Sequence, residues 1–399
     1  MKKLSLLLII FTLSVSAFAN DGVYYTSGNQ LIPIIETDIQ VKKELLLIRR
    51  VKDHLVVRVR YEFFNPAEEK DLLVGFEAPG SYPPQKSHLE TFPEQPHIRD
   101  FKVMVNGKPL TYEIAHVPGS MYIMDGKLHD RSDYYQNGRF HSLTKHQCED
   151  SLLSLDYPSF YYVYHFNAHF KKGTNLVEHT YEYDLSHSVA EEFHFKYILS
   201  AANRWANNGI DDFTLSIHMG EHESFAIKPT FFTNSDNWVA QGAVRKNDIE
   251  IYKEPMAAFH VQKGTVVFHK KNFHPEGELE ITKHNMIDYL WQATQKSNNK
   301  ADDILKNMQE QYFTLDFMQN LIDMEGDKTI FFSKAQKNIL ANMPYAYRGY
   351  VFSDKKLQSY FESSKWYLPN PNYQKEPKSL SKTEQKWIDT IENPGQAHK

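Results

Sequence analysis

The chain has 399 residues, 24% of them charged, and a formal net charge of −5. That balance, with no basic run, argues against nucleic acid or an anionic membrane surface as partner. The single cysteine, Cys148, excludes an intramolecular disulfide, so packing alone holds a chain long enough for two domains.

The N-terminus reads MKKLSLLLIIFTLSVSAFAND, with Lys2 and Lys3 ahead of an apolar run from Leu4 to Leu13. Ala17 and Ala19 flank Phe18 in the small-x-small pattern of a signal-peptidase site. The run is shorter than the roughly 20 apolar residues that span a bilayer. Residues 1–19 are therefore expected to be a signal peptide cleaved after Ala19. No cysteine follows the cleavage point to carry a lipid, and no later stretch reaches membrane length. The expected location is periplasmic or secreted, without a membrane span.

Residues 20–283 read as β-structure. In LVVRVRYEFF, Leu55, Val57, Val59, Tyr61 and Phe63 share one face, and Arg58, Arg60 and Glu62 the other. This alternation marks a half-buried strand. Asn106-Gly107 sits between two such runs and suits the positive φ angles of a type I′ hairpin turn. A second hairpin is expected within 161–184, turning at Lys172-Gly173-Thr174, with further strands at 213–219 and 259–269. Many short strands with turn signals between them predict an antiparallel β-sandwich-like domain. Residues 117–158 show little pattern and read as a long insertion.

From His284 the apolar spacing changes to three and four, as in Ile304, Leu305, Met308 and Tyr312. Residues 284–326 are expected to be a helical linker ending at Gly326. Residues 327–393 read as a small all-α unit. Ser333 caps one helix, Gly349 ends it, and Ser353 followed by Asp354 opens the next. Ser381 to Glu384 form a capping box ahead of Trp387, Ile388 and Ile391. Pro344 lacks an N–H and is expected to kink or restart its helix. The overall expectation is an α+β multidomain protein.

The C-terminal unit resembles the YARHG domain, a small module of exported bacterial proteins. Asn342, Tyr345, Ala346, Gly349, Tyr350 and Phe352 match its pattern, as do Leu357, Tyr360, Phe361, Trp366 and Tyr367. The departures fall in the name-giving motif, where Ala341, Pro344, Tyr347 and Arg348 replace its Arg, Ile, Arg and His. The resemblance implies a retained helical scaffold in which Arg348 carries a displaced positive charge. Residues 21–220 are similar to a second family of exported bacterial proteins, a domain of unknown function. Gly28, Asn65 after Phe63 and Phe64, then Phe170, Gly173, Val177, His179 and Tyr181 carry that likeness. Tyr197, Leu199, Trp205, Ile210, Asp212, Phe213 and Leu215 extend it. It implies an exported all-β domain and supplies no activity.

For chemistry, His165 and His169 share a strand face, and a symmetric hairpin would place Glu178 opposite Asn167 on that face. Two imidazoles and a carboxylate match the ligand set of an open zinc site, the basis of an alternative reading as a metal-dependent hydrolase. The plainer reading is the solvated outer face of an antiparallel sheet. His141, His146 and Cys148 in the insertion, and His218 with His222, are further ligand types without a supporting helix. His179, alternating with Tyr181 and Tyr183, is expected inside the sandwich and hydrogen-bonded. Asp211-Asp212 and Glu191-Glu192 point to opposite strand faces, which suits caps better than a catalytic pair. No nucleophile elbow, phosphate loop or dinucleotide fingerprint is present.

Aromatics in loops suit recognition instead. Tyr134, Tyr135, Trp366 and Tyr367, with Tyr347 and Arg348 at the departures from YARHG, are the candidate binding residues. The reading is an exported, non-catalytic protein that binds an envelope protein or glycan, with no cofactor and zinc as the alternative.

Overall fold

The computed structural model describes residues 27–28, 31–33, 37–79, 97–118, 135–136, 139–140, 160–185, 191–251, 253–284, 300–310 and 332–392. The expected signal peptide, Gly326, Tyr134, His141, His146 and Cys148 lie outside the described residues.

The first strands are β1 (Ser27–Gly28), β2 (Leu31–Pro33), β3 (Gln40–Val51), β4 (His54–Asn65), β5 (Lys70–Pro79) and β6 (Ile98–Val105). β7 (Lys108–Leu110), β8 (Glu113–Pro118), β9 (Tyr135–Gln136), β10 (Arg139–Phe140), β11 (Phe160–Phe170) and β12 (Gly173–Asp184) follow. The remainder are β13 (Glu191–Tyr197), β14 (Ile210–His218), β15 (Glu223–Ile227), β16 (Trp238–Ile251), β17 (Glu254–Phe273) and β18 (Leu279–His284). The described residues after them form four α-helices, α1 (Lys300–Glu310), α2 (Lys334–Tyr347), α3 (Lys355–Glu362) and α4 (Lys382–Glu392). None of the described helices is long and apolar enough to cross a membrane.

The large sheet runs β1-β13-β18-β15-β17-β14-β3-β4-β12-β6-β7, with β16 also paired to β17. A smaller sheet, β2-β5-β11-β8, faces part of it. The two bury Phe76 and Tyr164 against Phe101, His179 and Tyr181, which makes the expected sandwich core. Two pairings depart from an all-antiparallel sheet, β1 with β13 and β14 with β3.

The Asn106-Gly107 turn is as expected, with φ of 49° and 77° and β6 paired to β7. The second hairpin needs correction. β11 pairs with β5 and β8, whereas β12 pairs with β4 and β6, so the turn at Gly173 crosses between sheets. Two buried asparagines hold that crossing. Asn175 donates to the carbonyls of Lys171 and Gly173, and Asn65 donates to those of Phe170 and Glu68. These side chains replace the ladder bonds that a paired hairpin would have supplied.

β17 is 20 residues long and bends. Phe259 pairs with both Phe225 and Lys246, and Phe268 pairs with both Leu215 and Trp238. β15 and β14 therefore follow one another along one edge of β17 while β16 runs along the other. At the bend Gly264 faces Gly242 with φ of 149° and 95°, beside a bulge between Ala243 and Val244. A Cβ on Gly264 would lie 2.1 Å from the Gln241 carbonyl oxygen. Only glycine allows this approach, and bulges of this kind redirect strands. Beyond the bend, Met256, Ile251 and Ala226 leave the sandwich core and join a second core with the helices.

That second core contains Ile304, Leu305 and Met308 of α1, and Leu340, Met343, Phe352, Leu357, Phe361, Trp366, Trp387 and Ile391. Ser333 and Gln336 form a capping box at α2, and Ser381 and Glu384 form one at α4. Asp354 rather than Ser353 caps α3, accepting from the N–H groups of Lys356 and Leu357. Pro344 does not restart the helix, because α2 runs through it without a break. The carbonyl it leaves without an i+4 donor is that of Leu340, which accepts the indole N–H of Trp387 at 3.0 Å.

Candidate functional site at the junction of sheet and helices

His179 is inward as expected, 1% exposed, among Tyr61, Phe76, Phe101 and Tyr181. Neither ring nitrogen has a partner among the described residues. Burial depresses its pKa to about 3, so the imidazole is neutral.

The candidate zinc ligands are not brought together. His165 and His169 stand on the small sheet, where His169 meets Asp71 at 2.9 Å and Glu69 at 3.7 Å. Glu178 stands on the large sheet and pairs with Arg60 at 3.9 Å. The sheet crossing at Gly173 is the physical reason. Asp212 contacts His269 and Asp211 contacts Lys42, so this acid pair does diverge. Tyr135 lies in the two-stranded β9–β10 ribbon.

The other aromatic candidates converge on one place and are buried there. Tyr347, Trp366 and Tyr367 are 5%, 4% and 1% exposed. The Tyr367 carbonyl accepts from Arg245 at 2.9 Å, and the Trp366 indole N–H donates to the Met308 carbonyl. Arg348 makes two bonds to the Glu384 carboxylate, at 2.6 and 2.8 Å. Gln262 and Asn247 donate to the carbonyls of Leu368 and Lys365.

Tyr347 closes a polar circuit with the sheet. Its hydroxyl donates to Ser224 Oγ at 3.1 Å, and its carbonyl lies 3.1 Å from His260 Nε2. A carbonyl only accepts, so Nε2 carries the proton. Nδ1 is then an acceptor for the Ser224 hydroxyl, 2.9 Å away. Ser224 and His260 are cross-strand partners on β15 and β17. Burial, reinforced by His222, Lys283 and Arg245, lowers the His260 pKa to about 3. A main-chain carbonyl stands where a hydrolase triad has a carboxylate, and so weak a base is poorly suited to activating Ser224. The circuit fastens the helices to the sheet.

Beside the circuit lies a cavity of about 60 Å³. Its floor follows from strand register. Thr282, Ala226, Ala258 and Asn247 lie in one row across β18, β15, β17 and β16. Two methyl side chains in mid-row leave a hollow between Ser224 and His260 on one side and Ile249 and Ile251 on the other. Trp366, Lys365 and Glu310 complete the wall, the last two paired at 2.5 Å. Lys283 lies alongside, neutralised by Glu192 at 3.1 Å and Glu223 at 2.5 Å.

The helical side of this junction turns at Gly349, whose φ is 83° and whose Cα faces Gln262 and Leu368. Residues 332–394 match the YARHG family. This helical module is a YARHG domain. Residues 19–125 match DUF4424, a domain of unknown function. Among solved structures, a candidate nutrient-binding protein from Legionella pneumophila is similar at 15% identity, with a TM-score of 0.46. The match covers 92% of this chain and 97% of that one. An M1 zinc metallopeptidase from Deinococcus radiodurans is 10% identical with a TM-score of 0.25, covering 63% of this chain and 44% of its own. No curated protein matches the chain.

The YARHG domain uses its glycine for docking. A Cβ on Gly349 would meet Gln262 Nε2 and the Leu368 carbonyl oxygen, each at 2.4 Å, in a left-handed conformation. Gly349→Ala is expected to destabilise the protein by roughly 3 kcal/mol in urea unfolding. A change within experimental error would show that the junction is looser than described.

The residues that sequence reasoning missed are Ala226, Ala258, Ser224, Asn247 and His260. Their one signal is the alternation Met256, Ala258, His260, Gln262, a small and polar strand face that needs a cover.

Proposed function

We propose that the protein is an exported, non-catalytic binding protein of the cell envelope, and that the junction cavity is where its ligand enters. The observation that supports this is the cavity itself, a concave site with an apolar floor and a few convergent polar groups. Export rests on the N-terminal sequence and on the YARHG domain, an extracellular type of module. The aromatics that would otherwise form an exposed recognition patch are buried at the junction, which leaves the cavity beside Trp366 as the opening. The partner is an envelope glycan or an envelope protein that inserts one small group.

The test is retention of the purified protein on isolated envelope fractions, cell-wall sacculi and membranes separately, against Ala258→Leu. Ala258 faces the hollow, so the leucine fills space instead of displacing packed atoms. Retention of the wild type is expected to fall at least several-fold in the variant while its melting temperature holds. Equal retention of both proteins would overturn the reading.

A further inference from the structure

The chemistry of the hollow narrows the ligand class, an inference that rests on the binding reading above. The first constraint is size. At about 60 Å³ the hollow is less than half the size of an apolar cavity of roughly 150 Å³ that holds benzene. It takes a substituent of a few heavy atoms and leaves a ring at its mouth.

The second constraint is charge. Lys365 is paired with Glu310, and Lys283 and Arg50 share Glu192 and Glu223, so each cation is already matched by a carboxylate. An ionised group entering here would meet no unmatched charge and would lose its hydration. A neutral group is required.

The third constraint is hydrogen-bond polarity. Asn247 gives its amide N–H to the Lys365 carbonyl, which fixes its orientation, and among the described residues its amide oxygen takes no hydrogen bond. Ser224 spends its proton on His260 and accepts from Tyr347, and Thr282 spends its own proton on Glu191 at 2.8 Å, leaving one oxygen lone pair on Ser224 and accepting capacity on Thr282. On these three side chains the capacity that remains is for accepting. A ligand must bring a donor, set beside an apolar end that rests on the methyl groups of Ala226 and Ala258.

An N-acetyl group has that form, with an N–H, a methyl and little volume. We propose that the hollow receives the acetamido arm of an N-acetylated amino sugar, with the sugar ring at the mouth. Trp366 offers an aromatic wall, and the half-exposed Lys365–Glu310 pair meets hydroxyls that both donate and accept. A peptide amide shares the N–H and methyl. It would have to run on in both directions, and a hollow that ends on a strand row favours a side arm.

Calorimetric titration of the full protein with N-acetylglucosamine, glucose and N-acetylalanine methylamide tests this. N-acetylglucosamine is expected to bind roughly tenfold or more tightly than glucose, the ratio of about one lost buried hydrogen bond with its methyl contact. It is also expected to bind more tightly than the methylamide, and its binding should disappear in both Ala258→Leu and Ala226→Leu. Equal binding of the two sugars, or tighter binding of the methylamide, would overturn the assignment. So would no binding of any of the three. If envelope retention still depends on Ala258 in those cases, the sugar assignment alone has failed. If retention is independent of Ala258, the binding site itself has been misplaced.

Discussion

Lowering the pH from 7.5 to 5 is expected to remove about 4 kcal/mol of folding stability. Two buried histidines are responsible. His179 in the sandwich core and His260 in the junction both have pKa values depressed to about 3 by burial, against 6.5 for the ordinary group. The unfolded chain therefore takes up protons near pH 6.5 while the folded chain does not. The stability from each neutral imidazole is fully present above pH 6.5 and is lost as the pH falls toward 3. Each contributes a slope of about 1.4 kcal/mol per pH unit, hence about 2 kcal/mol per histidine by pH 5. His97 and His222 are depressed in the same direction, first by burial. Glu280, held at about 2 chiefly by its bond to His194, adds a loss that begins only in stronger acid. Urea midpoints measured from pH 8 to pH 5 give the slope directly. His179→Phe keeps the ring contacts with Tyr61, Phe76 and Phe101 and removes two nitrogens that have no partner among the described residues. It is expected to remove about 1.4 kcal/mol per pH unit from the slope and to raise stability at pH 5. An unchanged slope would mean that His179 is solvated or paired in solution.

The sequence was legible where one local rule decides the outcome. The faces of β4 follow from alternation, and Leu55, Val57, Val59, Tyr61 and Phe63 are buried as the period requires. Asn106-Gly107, Gly349 and the caps at Ser333 and Ser381 follow from backbone chemistry of single residues. The failures share a cause. A short link between two strands reads the same whether they pair or part, so β11 and β12 look like a hairpin although they lie in different sheets. The zinc set falls with that pairing, because it needed Glu178 opposite Asn167. The junction cavity depends on four strands brought into register from 226 to 282, and no local pattern contains that register. Tyr347 and Arg348 stand out as departures from the YARHG pattern. Sequence alone does not show that Tyr347 finds Ser224 and His260, or that Arg348 finds Glu384.

Arg348→Ala is expected to cost about 4 kcal/mol, because it strands a buried carboxylate. The side chains of Arg348 and Glu384 are 12% and 6% exposed, and they meet through both guanidinium arms. Arg348 Nη1 also donates to the Pro344 carbonyl at 2.9 Å, serving a group at the end of α2. Glu384 in turn accepts the Ser381 N–H at 2.7 Å as part of its capping box. One ion pair thus ties the C-terminus of α2 to the N-terminus of α4. Removing the arginine leaves Glu384 charged without its partner, whereas removing both charges leaves neither exposed to that penalty. The double variant Arg348→Met, Glu384→Met should therefore be more stable than Arg348→Ala alone, a non-additivity that a double-mutant cycle in urea reads directly. Arg348→Lys keeps the charge and loses the fork, so it should fall between wild type and alanine. The same variants separate structure from recognition. If Arg348→Ala leaves the urea midpoint where it was and abolishes envelope retention, the guanidinium is a ligand contact. A large loss of stability that the double variant partly restores assigns it to holding the YARHG helices together.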